Sequence, residues 1–237
     1  ASGGEVQPNG RERRATLYAI DGPIPWTPPV SSPIQEEEPP PPGLSRIDYL
    51  RLRIARWSFR WDSSISATSL LRSLSAKALD HPEVLPLRAD VAMQDRKFDE
   101  AEKLYRRVLE TSPGDERSLF CLAGMELLKD NDRKFGALML EAAGGDLSAI
   151  EPSHFYQRGA EYIRQMDYLP AFGPVSIVLT DSPDSRWGLM AMAYVLQAFH
   201  RYDEALVALE RYLKLYPGDT EAIGLIEALQ KEGKIPG

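Results

Sequence analysis

The sequence predicts an all-α fold, an α-solenoid of stacked helix-turn-helix repeats preceded by a Pro-rich extended arm. Three observations predict it. A residue pattern recurs with a period of 34 in the second half of the chain, helix-type apolar spacing dominates from Leu44 onward, and ten of the 19 prolines fall within the first 42 residues. A helix pair that repeats at such a period buries its apolar face only by stacking on its neighbours.

The first segment, residues 1–45, is predicted to be an extended arm. The prolines in it, ending in the run Pro39–Pro42, oppose helix and favour polyproline II. Such a composition is also typical of a disordered tail. The arm nevertheless carries apolar side chains at intervals, among them Tyr18, Ile24 and Trp26, which we interpret as anchors that dock on a surface.

Residues 46–81 are predicted to be a divergent helical pair, with helices over 46–61 and 66–79, that caps the solenoid. Segment 44–79 has seven basic and two acidic side chains in a chain whose net charge is −7. Helix 46–61 places an apolar stripe beside arginines, and the stripe consists of Ile47, Leu50, Ile54, Trp57 and Trp61. Two interpretations stay open: the stripe is the packing face of the helix, or it meets a membrane surface or an acidic partner.

Four repeats follow over residues 82–219. The residues Phe98, Ala101 and Pro113 recur 70 positions later as Tyr168, Ala171 and Pro183, and 34 positions later again as Tyr202, Ala205 and Pro217. The aromatic residue fills the turn between paired helices, the alanine allows close helix approach, and the proline stops the second helix. The units are predicted to span 82–115, 116–152, 153–185 and 186–219, with the two extra residues of the 70 assigned to the polar stretch 130–133 and a capping helix and tail over 219–237.

The stretches "RKFDEAEKLYRRVLETSPGD" and "HRYDEALVALERYLKLYPGD" resemble the tetratricopeptide repeat family. This resemblance implies a right-handed superhelix whose concave groove, lined by the first helix of each repeat, holds a protein or peptide partner. Carried over by repeat position, the predicted groove residues are Met93, Phe120, Leu127, Gln157, Arg164, Trp187, Met190 and Tyr194. The lysine–asparagine–arginine clamp that some members use for acidic chaperone tails is not matched, because Pro86, Asp90, Cys121 and Gly124 stand at its positions.

Catalytic, metal and cofactor chemistry finds little support in the sequence. Cys121 is the single cysteine, so neither a disulfide nor a thiolate metal cluster can form within the chain. The three histidines have no local partner at ligand or triad spacing, and no Gly-rich phosphate loop is present. We therefore expect no enzyme activity and no cofactor, and the net charge of −7 argues against nucleic acid as a partner.

The function predicted from these features is a non-catalytic interaction module, an adaptor, scaffold or assembly factor that binds an extended peptide or a helix in its groove. Two alternatives are a structural subunit held in a larger complex mainly by its arm, and a peripheral membrane factor that attaches through helix 46–61. No apolar run reaches the roughly 18 residues that span a bilayer. We expect a soluble chain, either cytoplasmic or, after processing, organellar or periplasmic.

Overall fold

The computed structural model describes residues 39–61, 66–146 and 152–232, and within these ranges all regular structure is helical. The described residues divide into two compact units, 39–145 and 146–232. The predicted arm anchors Tyr18, Ile24 and Trp26 lie outside the described residues. The all-α class and the helix-pair organisation predicted from the sequence are confirmed, as the α-solenoid class requires.

The described part of the first unit, residues 39–61 and 66–145, contains seven helices. They are α1 Arg46–Trp61, α2 Ala67–Arg72, α3 Ala76–Leu79, α4 Leu85–Gln94, α5 Phe98–Thr111, α6 Glu116–Leu128 and α7 Asp132–Ala142. Helices α4 and α5 pack as one pair, α6 and α7 pack as the next, and α5 joins the two pairs by packing on α6. The apolar residues between them, such as Ala101, Leu104 and Leu119, are buried.

The described part of the second unit, residue 146 and residues 152–232, contains five helices. They are α8 Pro152–Arg164, α9 Tyr168–Asp181, α10 Arg186–Ala198, α11 Tyr202–Leu215 and α12 Thr220–Glu232. Here α8 pairs with α9 and α10 pairs with α11, while α9 packs on α10 and α12 packs on α11. The helix that the sequence predicts as a closing cap therefore packs on the last full pair.

The turn between the two helices of each pair is built on one left-handed residue. Arg96, Asp130, Met166 and His200 all have φ between 54° and 59°, and they follow one another at intervals of 34, 36 and 34 residues. At each turn the next residue donates its amide to a carbonyl five residues back, as Lys97 does to Ala92 at 2.8 Å. This is the Schellman arrangement that ends an α-helix. The backbone therefore repeats with the period that the side chains predicted.

The two extra residues of the middle interval lie elsewhere than the sequence suggested. Helix α7 begins two residues after the left-handed Asp130, just as α5 begins two residues after Arg96, so residues 130–133 form a turn of ordinary length. The extra length instead follows α7, which is three residues shorter than α5. The connection after α7 is longer, and it begins with Ala143, Gly144 and Gly145. The assignment to 130–133 was wrong, because a polar stretch marks a turn without measuring its length.

Helix α1 buries a different face from the one predicted. Its buried residues are Asp48, Leu52, Ala55 and Ser58, whereas Ile47 is 63% and Leu50 48% exposed, and Ile54 and Trp57 are half-buried. The reading of the apolar stripe as the packing face was therefore wrong. The side chain of Trp61 lies outside the description.

The buried Asp48 explains this orientation of α1. Its carboxylate accepts hydrogen bonds from the hydroxyl of Ser45 at 2.8 Å and from the hydroxyl and amide of Ser75 at 2.9 and 3.1 Å. These bonds, with that of Ser45 the strongest, lower the pKa of Asp48 and keep the buried carboxylate charged. Ser75 also caps α3, and the break at residues 73–75 replaces the single helix predicted over 66–79 by α2 and α3.

A glycine at a left-handed turn tests the backbone assignment. Met166 has φ 57° and is 49% exposed, so its side chain adds little packing. We expect Met166→Gly to raise the free energy of unfolding by about 0.5–1 kcal/mol. Glycine removes the strain of a left-handed backbone in the folded chain, and this gain exceeds the cost of the greater backbone entropy that glycine gives the unfolded chain. Urea unfolding measures the change. Met166→Ala keeps the Cβ and is the control, and equal stability of the two variants would contradict the assignment.

Candidate partner-binding surface

The predicted groove residues fall into three classes in the structure. Gln157 and Arg164 are exposed, and Met93, Leu127 and Tyr194 are half-buried. Phe120, Trp187 and Met190 are buried, with exposed fractions of 0%, 3% and 6%. These three are thus not the exposed apolar anchors that the sequence predicted, and the contacts of each with a partner remain a prediction without a test.

Trp187 packs between first helices. Its ring lies 4.5 Å from that of Tyr156 on α8, centroid to centroid, and a Cβ added at Gly159 would approach the indole to 2.9 Å. The lack of a side chain at Gly159 is what lets the indole of α10 lie against the backbone of α8. Trp187 therefore joins two consecutive repeats, which accounts for its burial.

Phe120 and Met190 are buried because their helices are enclosed on nearly all sides. On α6 every residue from Ser118 to Glu126 is buried, and α10 buries the run from Trp187 to Ala191. Each of these helices packs on its partner in the pair and on the second helix of the pair before it. An enclosed helix has apolar residues all round, so its sequence offers no periodic stripe that could show which side faces a groove.

The left-handed turns correct the repeat positions that the sequence analysis gave to Gln157 and Arg164. Because Met166 and His200 are equivalent, the first residue of α8 corresponds to the first residue of α10, and the third repeat begins one residue earlier than predicted. Gln157 then corresponds to Ala191 instead of Met190, and Arg164 corresponds to Ala198. Both side chains are nevertheless exposed on α8.

A second kind of contact between first helices is polar. Both carboxylate oxygens of Asp90 on α4 lie 3.1 Å from the guanidinium of Arg117 on α6, and the hydroxyl of Tyr105 donates to Asp90 at 2.6 Å. Three repeats later the hydroxyl of Tyr194 on α10 donates to Glu221 on α12, also at 2.6 Å. Tyr194 is at the repeat position equivalent to Asp90, and Glu221 is at the position equivalent to Arg117. The same contact between first helices is therefore made by an ion pair in one place and by a tyrosine–carboxylate hydrogen bond in the other.

The tyrosine hydroxyls in these contacts stay protonated. Burial, with the neighbouring Asp90, raises the pKa of Tyr105 well above its ordinary value. Burial, followed by the hydrogen bond to Glu221, likewise raises the pKa of Tyr194. Both phenols are therefore hydrogen-bond donors at neutral pH, in accord with a role in holding helices together.

Asp219 connects α10, α11 and the start of α12. One carboxylate oxygen accepts from the hydroxyl of Tyr212 at 2.7 Å and from the guanidinium of Arg186 at 3.0 Å. The other accepts from the amides of Glu221 and Ala222 at 3.1 and 3.3 Å, which caps α12. The hydrogen bond from Tyr212 is the main cause that lowers the pKa of Asp219.

A cavity of about 230 Å³ lies beside α2 and α4, with Leu71 and Val91 in its wall. A second, of about 520 Å³, lies at the start of α5 and is lined mainly by charged side chains such as Arg96, Asp99 and Lys103. Pockets that hold cofactors or drug-sized ligands are commonly about 300–1,000 Å³ and lined mainly by apolar and aromatic side chains, so the first is smaller and the second more charged than such a pocket. Within the described ranges, no three His, Cys, Asp or Glu side chains are placed to hold a metal ion, and no helix is long and apolar enough to cross a membrane.

Comparison with known proteins identifies the repeat. Residues 186–229, which cover α10 and α11 and most of α12, match the family model described as tetratricopeptide repeat. One solved structure, from work titled functional characterization of Pseudomonas aeruginosa pilF, shares 16% identity over 79% of this chain and 85% of that chain, with a TM-score of 0.41. No conclusion is drawn from a likeness that distant. No curated protein matches the sequence.

The family match covers residues 186–229, so the tetratricopeptide repeat is shown for this part of the chain. The match begins at the first residue of α10, where the fourth repeat was predicted to begin, and extends into α12. Helix α12 therefore stands in the place of the first helix of a following repeat. Tetratricopeptide repeats in general mediate protein–protein interactions and scaffolding.

Truncation of Trp187 separates a packing role from a binding role. Because the indole fills the space between α8 and α10, we expect Trp187→Ala to lower the free energy of unfolding by about 3 kcal/mol. Urea unfolding followed by circular dichroism measures this. Val207→Ala, on the outer side of α11 where Val207 is 66% exposed, is the control and should change stability little. If Trp187→Ala were as stable as the unmodified chain, the indole would not be packed between α8 and α10 and would instead be exposed.

The lowered pKa of Asp219 gives a pH-dependent prediction. A carboxylate whose pKa is lower in the folded chain adds stability that is complete above its ordinary pKa and is lost as the pH falls through the folded value. We expect Asp219→Asn to be less stable than the unmodified chain at about pH 7, with the difference shrinking toward about pH 3. Thermal unfolding across this range checks it. A difference that stays constant with pH would contradict the role of the charged carboxylate.

Proposed function

We propose that the chain is a non-catalytic adaptor that binds an extended segment of a partner protein along the exposed face of α8. The observation that carries this proposal is the division of α8 into two faces. Phe155, Gly159 and Tyr162 are buried on one face. The opposite face, which we call the α8 polar face, consists of His154, Gln157, Glu161 and Arg164, at intervals of three and four residues, all exposed or half-buried.

The α8 polar face has the chemistry that an extended segment needs. Such a segment presents unpaired backbone amides and carbonyls, and the side-chain amide of Gln157 both donates and accepts hydrogen bonds. Arg164 adds an exposed guanidinium, which favours an acidic side chain in the segment. The carboxylate of Glu161 lies 2.9 Å from the guanidinium of Arg158, and Glu161 is half-buried, so its side chain is held in place.

Met93 and Leu127 belong to the unit of residues 39–145 and stand at the same position of consecutive repeats, 34 residues apart, and each is half-buried at the end of its first helix. The contact we propose concerns the α8 polar face alone. The partner segment we propose is extended, with at least one acidic side chain.

The test uses peptides, since no partner is identified. Peptides from a random displayed library are selected on the full chain, and their affinities are measured by isothermal titration calorimetry. We expect Gln157→Ala combined with Arg164→Glu to weaken the selected peptides about tenfold or more, because exposed polar contacts of this kind each contribute about 1 kcal/mol. Circular dichroism verifies that the variant remains folded.

The matched control is Val207→Ser, which changes an exposed residue on the second helix of the last pair. It should leave the peptide affinities unchanged. Peptides that bind equally well to all three chains, or that lose affinity only with Val207→Ser, would place recognition away from the α8 polar face and overturn the proposal.

A further inference from the structure

The cavity of about 230 Å³ beside α2 and α4 lies where α2 stops. The second helices α5, α9 and α11 each have 14 residues and pack on the first helix that follows, whereas α2 has six residues and ends at Arg72. Leu71 and Arg72, the last two residues of α2, line the cavity together with Val91 and Ala92 on α4. The break between α2 and α3 therefore accounts for the open space beside α4.

The floor of this cavity, which we call the α2–α4 pocket, is apolar. Leu71, Val91 and Ala92 are buried and Leu79 is half-buried, while Arg88 in the wall donates to the carbonyl of Leu79 at 2.8 Å. An apolar cavity of about 150 Å³ holds one benzene molecule, and larger organic ligands need about 300 Å³ or more. The α2–α4 pocket therefore has room for one aromatic side chain.

Charged side chains surround the mouth of the pocket. Two of them neutralise each other, because the ammonium of Lys97 lies 2.8 Å from the carboxylate of Asp95. Arg72 and Glu100 are exposed, and within the described residues the side chain of neither forms an ion pair or a hydrogen bond. Both lie near Lys97, whose pKa is raised by the hydrogen bond to Asp95 and by Glu100 and lowered by Arg72. The mouth thus presents one cation and one anion that are available to a partner.

An occupant of this pocket must match both the apolar floor and the charged mouth. A ring that enters the pocket is covered on one side only, because the exposed Arg72, Lys97 and Glu100 stand at an open mouth. Small-molecule sites commonly bury about 70–90% of the surface of their ligand. A polypeptide segment suits an open pocket better, since one side chain is the anchor and the backbone stays in water. The charged neighbours of the anchor in such a segment also match Arg72 and Glu100.

We propose that the α2–α4 pocket receives one aromatic side chain of a partner protein, with an acidic neighbour of that side chain paired to Arg72 and a basic neighbour paired to Glu100. The pocket belongs to the first unit, whereas the α8 polar face belongs to the second. This contact goes beyond the function proposed above, and its failure would leave that function untouched.

Nuclear magnetic resonance of the full chain tests the pocket through the isotope-labelled methyl groups of Leu71 and Val91. The probes are two acetylated and amidated peptides, Ala-Asp-Phe-Lys-Ala and Ala-Lys-Phe-Asp-Ala, which present the ring with its charged neighbours in either order. A phenylalanine ring in the pocket should shift both methyl signals in a saturable way, with a dissociation constant of about 1 mM for a probe that has one anchor. Probes with alanine in place of phenylalanine should leave these signals unchanged.

Charge reversal at the mouth tests the pairing. We expect Arg72→Glu and Glu100→Lys each to weaken the better phenylalanine probe about fivefold, because an exposed ion pair is replaced by repulsion. Arg133→Glu is the matched control, since Arg133 is exposed at the start of α7 and does not line the pocket. It should leave the affinity unchanged, and circular dichroism verifies that all three variants remain folded.

Three outcomes would overturn the proposal. The first is that the Leu71 and Val91 methyl signals do not move with the phenylalanine probes at about 10 mM, or move equally with the alanine probes. The second is that Arg72→Glu and Glu100→Lys bind the phenylalanine probes as well as Arg133→Glu does. The third is that free phenylalanine binds as tightly as the peptides, which would assign the pocket to an amino acid instead of a protein segment.

Discussion

The contact between the first helices of consecutive repeats is the constraint on which the structure depends. Helices α6 and α10 are each enclosed by their partner in the pair and by the second helix of the pair before. A side chain at the contact between first helices must therefore fill the space or have its polar groups hydrogen-bonded. The chain does this in two ways. Trp187 packs against Gly159, and the pairs Asp90–Arg117 and Tyr194–Glu221 join helices through hydrogen bonds of 2.6–3.1 Å. Further ion pairs repeat with the same period, since Asp80–Arg107 and Asp184–Arg211 are three repeats apart.

This constraint changes which residues are available for a partner. The resemblance to tetratricopeptide repeats implied a groove with apolar anchors at Phe120, Trp187 and Met190, and the structure buries all three. The exposed side chains on first helices are mainly polar, such as Gln157 and Arg164. A binding surface of this kind suits a segment recognised through its backbone and charge.

The repeating architecture could be predicted from the sequence because the same residue types recur at the repeat period in several positions. Phe98, Ala101 and Pro113 recur at fixed intervals, and the left-handed turns at Arg96 and Asp130 keep the same interval. Helix orientation was harder to predict. On α1 the most apolar face lies outward, because the buried Asp48 is hydrogen-bonded by Ser45 and Ser75. The bond with Ser45 follows a local Ser-x-x-Asp pattern, but Ser75 is 27 residues away, and no local pattern reveals that contact. The start of the third repeat was predicted one residue too late for a related reason. The connection after α7 is longer than the others, and no repeated residue in the sequence marks where it ends.

The claim that first-helix residues join repeats is tested most directly by a double-mutant cycle on Asp90 and Arg117. The free energies of unfolding of the unmodified chain, Asp90→Ala, Arg117→Ala and the double variant are measured by urea denaturation. We expect a coupling free energy of about 1–3 kcal/mol, because the two charges are partly buried and hydrogen-bonded. Effects of the two substitutions that simply add, with no coupling, would show that this contact does not hold the repeats together and would contradict the account.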